Sequence, residues 1–307
     1  MKKLFSIISD NIQTSFGTPI KLLQLLNERS DIRVEINEPN RVIAADSVVS
    51  WHRWGESSPF KWPRRSDGRI MGWKYSSGYY CSFEVYRPEL ADFGCCETTE
   101  QWTCDIQNVD GVLHSKSELD KFATLDDMVA KNSPEMINEV TKAMLCKNLA
   151  HGEIRILHNS DTSDHFARYQ WDGRVFLMNG GGSHHFAAAR YIASRIAQQV
   201  PLKGKLCTYS INDVAVGMLC RDFDIYAISD EAEISNRFHD AMESFKATYL
   251  LHDMPKPYGK AKAILLPKND ARSVRVSKVL REVGVADLGH HFAALCNRQS
   301  RNKAQPV

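Results

Sequence analysis

The chain has 307 residues, 43% of them hydrophobic, and sets 39 basic against 37 acidic side chains for a formal net charge of +2 at pH 7. Its length suits one or two domains with a real core. The near-neutral balance excludes a global electrostatic pull toward nucleic acid, membranes or acidic substrates, so any such pull is local.

The opening "MKKLFSIISDNIQ" starts with charge, but its apolar run breaks at Ser9 and Asp10, short of the core of a signal peptide. No stretch approaches the roughly 18 apolar residues of a spanning helix. The expectation is a cytoplasmic protein without membrane contact. Cys81, Cys95, Cys96, Cys104, Cys146, Cys207, Cys220 and Cys296 lack the spacing of a disulfide scaffold or a zinc site and read as reduced, buried or idle thiols.

Residues 1–115 carry Trp51, Trp54, Trp62, Trp73 and Trp102 and strand-like runs such as "RIMGWKYSSGYYCSFEVY", a β-rich, irregular region. Residues 116–225 begin with two predicted helices joined at Asn132–Pro134, the second capped by Ser133 with Pro134 at its first position. "GEIRIL" then reads as a strand, "FARYQW" and "RVFLMN" as a hairpin across Asp172 and Gly173, Ser183 to Gln199 as a helix, and "KGKLCTYS" as a strand before a short helix near Ile211. Residues 226–307 alternate again: a helix near 231–250, the loop "DMPKPYGKAK", the strand "AILLP", the basic helix "DARSVRVSKVLREVG" and a frayed tail "NRQSRNKAQPV".

The joint "NGGGSHHFAAARYIASRI" carries the most chemistry. A strand that ends in Asn179-Gly180-Gly181-Gly182 and passes into a helix presents unpaired backbone N–H groups and the positive end of the helix dipole, a ready-made anion site. Glycines let a phosphate approach the backbone, and Ser183 can cap the helix. His184 and His185 fall in the first turn, where the dipole disfavours protonation and leaves an imidazole fit to act as base, donor or ligand. They point about 100° apart, so one of them faces a ligand. A glycine-rich turn whose histidines merely satisfy nearby carbonyls is the plainer alternative.

"FLMNGGGSHHFAAARYIA" and the following "VPLKGKLCTYSINDVAV" resemble the core motif of the ParB/sulfiredoxin-like superfamily over about residues 150–220. The resemblance implies a small α/β (α+β) module that binds ATP or another nucleotide at this helix start. Relatives include ATP-dependent sulfinic acid reductases, a free-serine kinase, nucleotide-hydrolysing DNA partition proteins and nuclease-like proteins. Two positions depart from the pattern: Ser183 stands where sulfiredoxins place the reacting cysteine, and His185 where an arginine braces phosphate. A hydroxyl offers no thiolate, so sulfinic acid reduction is not expected.

Three further constellations stand beside the joint. Glu153 and Arg155 alternate on one face of the predicted strand; facing the joint, Glu153 would serve as general base and Arg155 as phosphate clamp. His158, Asp161, Asp164 and His165 in "HNSDTSDH" offer donors for Mg²⁺ or Mn²⁺, or form a capped acidic turn. "WHRWGESSPFKWPRRSDGRIMGWK" interleaves Trp54 and other tryptophans with Arg64, Arg65 and Arg69, the ingredients of a surface for DNA or RNA, or else of a core. The resulting expectation is a ParB/sulfiredoxin-like module with an N-terminal β-rich and a C-terminal α/β extension. It binds nucleotide or nucleic-acid phosphate at Gly180–Ser183, and His184 or His185 takes part in phosphoryl transfer or phosphodiester hydrolysis. The alternative is a catalytically silent module that binds DNA or a partner protein through the Trp/Arg region.

Overall fold

The computed structural model describes residues 17–56, 68–159 and 161–303. The chain is α+β and divides into two compact units. The described parts of Met1–Asn37, Ser50–Gly94 and Asn212–Cys296 form one; those of Glu38–Val49, Cys95–Ile211 and Asn297–Val307 form the other. These boundaries cut across divisions at 115 and 225. Strand pairing is the reason: Arg69–Ser76 takes Tyr249–Asp253 as its neighbour, so N- and C-terminal segments share one sheet.

In the first unit that sheet is antiparallel, with strand order Ala286–Asp287, Phe223–Ser229, Ala261–Pro267, Tyr249–Asp253, Arg69–Ser76, Tyr79–Tyr86. The helices Ile20–Glu28, Ala232–Phe245 and Ala271–Glu282 send Leu22, Leu25, Phe238, Met242, Val276 and Leu280 into one core with Tyr226, Tyr249 and Ile264. Strand residues alternate faces, so Tyr249 joins that core while His252 turns the other way. There it meets Trp54, whose ring also packs on Phe93 and Phe292 at centroid distances of 4.7 and 4.8 Å.

The second unit holds a mixed five-stranded sheet in the order Gly94–Asp105, Pro201–Ile211, His165–Tyr169, Val175–Met178, Gly111–Val112. The helix Ser183–Arg195 buries Phe186, Ala187, Ala188, Ala189, Ile192 and Ala193. Its alanines allow close approach, and Leu125–Asn132 and Lys142–Leu149 pack against it through Met128, Val129 and Leu145 in the same core as Phe166, Leu177 and Leu202. Full burial of each such Leu or Phe side chain is worth about 1.5–3 kcal/mol, which makes this helix the anchor of the unit.

Several predicted elements differ. The helices before residue 150 start at Leu125 and Lys142, so the second does not begin at Pro134 behind a Ser133 cap. Thr124 and Thr141 do the capping, their Oγ1 atoms accepting the N–H of Asp127 at 3.0 Å and of Met144 at 3.2 Å, and Pro134–Met136 is only a 3₁₀ turn. "GEIRIL" is not a strand. The Ile154 N–H returns to the His151 carbonyl at 3.0 Å, and Arg155–His158 is one helical turn, so Ile154 enters the core while Glu153 and Arg155 stay exposed. The tail is helical through Lys303, held by the Asn302 amide donating to the Gln170 carbonyl at 2.7 Å. Tyr249–Asp253, read from sequence as loop and helix end, is a strand.

Candidate functional site

Strand Val175–Met178 delivers the chain to Asn179, a buried amide that spends all its capacity on the backbone. Its Oδ1 accepts the N–H groups of Leu113 (3.2 Å) and His114 (3.1 Å), and its Nδ2 donates to the carbonyls of His114 (3.0 Å) and Gly181 (2.8 Å). The glycine loop is thereby tied to Leu113–His114. Gly180 N–H donates to Asp164 Oδ1 at 3.0 Å. Gly182 occupies the N-cap with φ of 71°, and a Cβ there would stand 2.7 Å from the Glu153 carbonyl carbon, so this position requires glycine for both conformation and space. Ser183 is not the cap. It is the first helical residue, buried, and its hydroxyl donates to Ser115 Oγ at 3.0 Å.

The N–H groups of Ser183, His184 and His185 have no acceptor among the described residues, as the start of an α-helix requires. They open on a cleft of about 720 Å³, within the usual range for a small-molecule site. Its walls include His114, Lys116, His151, Glu153 and His185.

The adjacent histidines have different fates. His184 is held at both ring nitrogens, Nε2 by Ser117 Oγ at 3.0 Å and Nδ1 by Ser133 Oγ, and Ser117 Oγ also accepts from Asn132 Nδ2 at 2.6 Å. It works as a tie between the helix start and the 117–133 segment. His185 is held at one nitrogen only. Asn148 commits its Nδ2 to the carbonyls of Met136 (3.0 Å) and Met144 (3.1 Å), so its Oδ1 faces the ring and accepts from His185 Nδ1 at 3.0 Å. The proton must sit on Nδ1, which in the neutral ring leaves the lone pair on Nε2. Burial pulls the His185 pKa below its ordinary value; neighbouring His151 and His184 add to this, while Glu153 and Glu135 oppose it. His184 is lowered as well, chiefly by burial and further by Lys116 against Glu135.

Two further histidines complete the walls. His151 stacks on His185 with centroids 3.8 Å apart and planes 16° apart. His114 donates from Nδ1 to the Asn179 carbonyl at 2.8 Å, and its Nε2 has no partner among the described residues. Glu153 and Arg155 reach the joint from the turn before the sheet. A Cβ on Gly181 would lie 3.5 Å from Glu153 Oε2, and one on Gly180 would lie 2.7 Å from Arg155 Nη1. Glu153 opposes an anion directly above Gly181, whereas Arg155 and Lys116 favour one beside it.

The other sequence candidates do not converge. His158 Nε2 donates to the Leu149 carbonyl at 2.7 Å, His165 Nδ1 to the Ser163 carbonyl at 2.9 Å, the Asp161 N–H to Asn159 Oδ1 at 2.9 Å, and Asp164 holds Gly180. His158, His165 and Asp164 each spend a side-chain atom on backbone, and among the described residues no three His, Cys, Asp or Glu side chains gather to hold a metal ion. Trp54 is fully buried, with Nε1 donating to the Asp253 carbonyl at 3.0 Å, so it is a core residue and not a base-stacking platform. Arg69 pairs with Glu84 at 2.8 Å, while Trp62, Arg64 and Arg65 lie outside the described residues. No disulfide joins any of the eight cysteines, and Cys95, Cys96 and Cys146 are exposed and not buried; burial pushes the Cys104 thiol up to about 12. No described helix is long and apolar enough to cross a membrane.

Sequence reasoning missed His114, Lys116, Asn148, His151 and Asn179. His114, Lys116, Asn148 and His151 lie in segments whose local pattern signals only a turn or a helix end, while Asn179 opens the glycine joint itself and was read there only as the end of its strand.

No curated protein and no solved structure matches the chain. A family model does match residues 99–305, about two thirds of the sequence and all of the cleft, and the chain belongs to that family of unknown function, DUF6685.

Proposed function

We propose that the cleft binds a phosphate-bearing ligand, a nucleotide such as ATP or the backbone of a nucleic acid, and that His185 acts there as base or nucleophile in phosphoryl transfer or phosphodiester hydrolysis. The observation that carries this reading is the Asn148–His185 contact. It fixes the tautomer that leaves Nε2 basic, in the first turn of a helix whose free N–H groups face the same cleft as Lys116. Arg155 beside Gly180 supplies the cation that position 185 lacks relative to the ParB/sulfiredoxin-like pattern. The order of strand, glycine loop, helix, strand and helix from Val175 to Asp222 supports that resemblance. Mg²⁺ or Mn²⁺ would enter with the phosphates of a nucleotide, since the described residues assemble no donor set of their own. His184, with both ring nitrogens engaged, is a structural tie in this scheme.

Calorimetric titration with pyrophosphate and ATP, with and without Mg²⁺, tests the reading on wild type and Gly181→Asp. A Cβ at 181 meets nothing closer than 3.5 Å, so the variant should fold while placing a carboxylate at the helix start. Saturable binding that weakens roughly tenfold or more in Gly181→Asp is expected, from loss of about 1.4 kcal/mol. Absence of binding to the folded wild type refutes it.

A further inference from the structure

Two imidazoles in the cleft share one arrangement. His185 gives its Nδ1–H to Asn148 Oδ1, and His114 gives its Nδ1–H to the Asn179 carbonyl; in both, Nε2 is left without a partner among the described residues. Both anchors are themselves immobilised. Asn148 and Asn179 are buried, and each donates its amide N–H groups to two backbone carbonyls. A ring held by Nδ1 has its orientation set and keeps the other nitrogen for proton transfer.

We propose that His185 and His114 form an acid–base pair for transesterification of RNA, an inference that rests on the phosphate-binding reading above and names its substrate. Two imidazoles move protons but supply no strong nucleophile, so the substrate must bring its own. RNA does, because its 2′-hydroxyl stands next to the phosphodiester it attacks. DNA lacks that group.

The step balances within these groups. The 2′-oxygen bonds to phosphorus as its proton passes to His185 Nε2. The bond from phosphorus to the 5′-oxygen breaks, and the leaving oxygen takes the Nε2 proton of His114, which enters the step as imidazolium with both ring nitrogens protonated and leaves it neutral. The products are a 2′,3′-cyclic phosphate and a 5′-hydroxyl end, and proton exchange with solvent resets both rings. His185 suits the base because it is the more enclosed ring, and exposed His114 suits the acid because it re-protonates from water. The free N–H groups of Ser183–His185 and the Lys116 ammonium face the cleft in which negative charge builds on the phosphorane oxygens.

The experiment incubates the full chain, in EDTA, with three single-stranded oligonucleotides of one sequence: RNA, DNA and 2′-O-methyl RNA. Cleavage of RNA alone is expected, with cyclic phosphate ends identified by mass. His185→Ala and His114→Ala should each lose on the order of 10²–10⁴-fold in rate while still binding the 2′-O-methyl strand. His114→Gln, at an exposed side chain, keeps the test intact if His185→Ala does not fold. Binding of all three strands without RNA cleavage overturns the acid–base pair but leaves the phosphate site standing, whereas failure to bind any strand, pyrophosphate or ATP overturns both. Cleavage that stops in EDTA, acts equally on DNA, or survives both histidine substitutions also overturns the proposal.

Discussion

Asn148 Oδ1 and His185 Nδ1 meet at 3.0 Å, and because the Asn148 amide nitrogen is committed to two carbonyls, the direction of this hydrogen bond is determined by the protein. One buried side chain thus selects the tautomer of another. Asn148→Asp turns that logic around: carboxylate oxygens would face the Met136 and Met144 carbonyls, and a negative charge would face the ring. We expect a stability loss of about 1–3 kcal/mol from the unpaired carbonyls and a rise in the His185 pKa. Histidine NMR titrations of wild type and variant read both; an unmoved His185 resonance would show that Asn148 does not govern it.

Neighbouring glycines in the loop should respond differently to alanine. Gly182 has φ of 71° and a Cβ there would lie 2.7 Å from backbone, whereas Gly181 has room, with nothing closer than 3.5 Å. Gly182→Ala should cost about 1–3 kcal/mol, and Gly181→Ala should change stability by less than about 0.5 kcal/mol. Urea denaturation of both variants tests the geometry independently of any ligand. Equal effects would mean that the helix entry is not as described.

Stability should fall on mild acidification. His184 and His185 are both held below the ordinary 6.5, mainly by burial, as is the fully buried His252. The unfolded chain therefore takes up protons that the native state refuses. The contribution is complete above pH 6.5 and is lost as pH falls from there toward the lowered native values. Urea midpoints at about pH 7.5 and 5.5 should show the drop, and the double variant His184→Gln, His185→Gln should show a smaller one. A pH-independent difference between the two proteins would sink the assignment.

Trp54 separates a core role from a nucleic-acid role. It is fully buried against Phe93, His252 and Phe292. Trp54→Ala should cost about 3–5 kcal/mol as a cavity replaces the ring. Thermal unfolding and affinity for single-stranded DNA, measured on the same preparation, decide it: a stable variant that has lost DNA binding would restore the surface reading.

Local signals made the joint legible. Three glycines between an apolar strand and a 3.6-period apolar stripe define a turn and a helix start without reference to the rest of the chain, and the structure has both. Helix boundaries before residue 150 were less legible, since Ser117, Thr124, Ser133 and Thr141 are all acceptable caps and only packing against Ser183–Arg195 chooses among them. Glu153 and Arg155 arrive at the joint from a turn, a placement their alternation in sequence had assigned to a strand.

The sequence by itself determined the α+β character, the glycine loop and the helix that begins at Ser183, because these depend on neighbours within a few residues. Only the tertiary structure decided which histidine is a tie and which keeps a free nitrogen, that Asp164 of the metal-like quartet holds Gly180, and that Trp54 is core. Those outcomes turn on single hydrogen bonds and ring contacts between residues 16 to 238 positions apart, such as Asp164 with Gly180, Asn148 with His185 and Trp54 with Phe292. No periodicity encodes contacts of that kind; they exist only once the sheet and helices have brought the segments together.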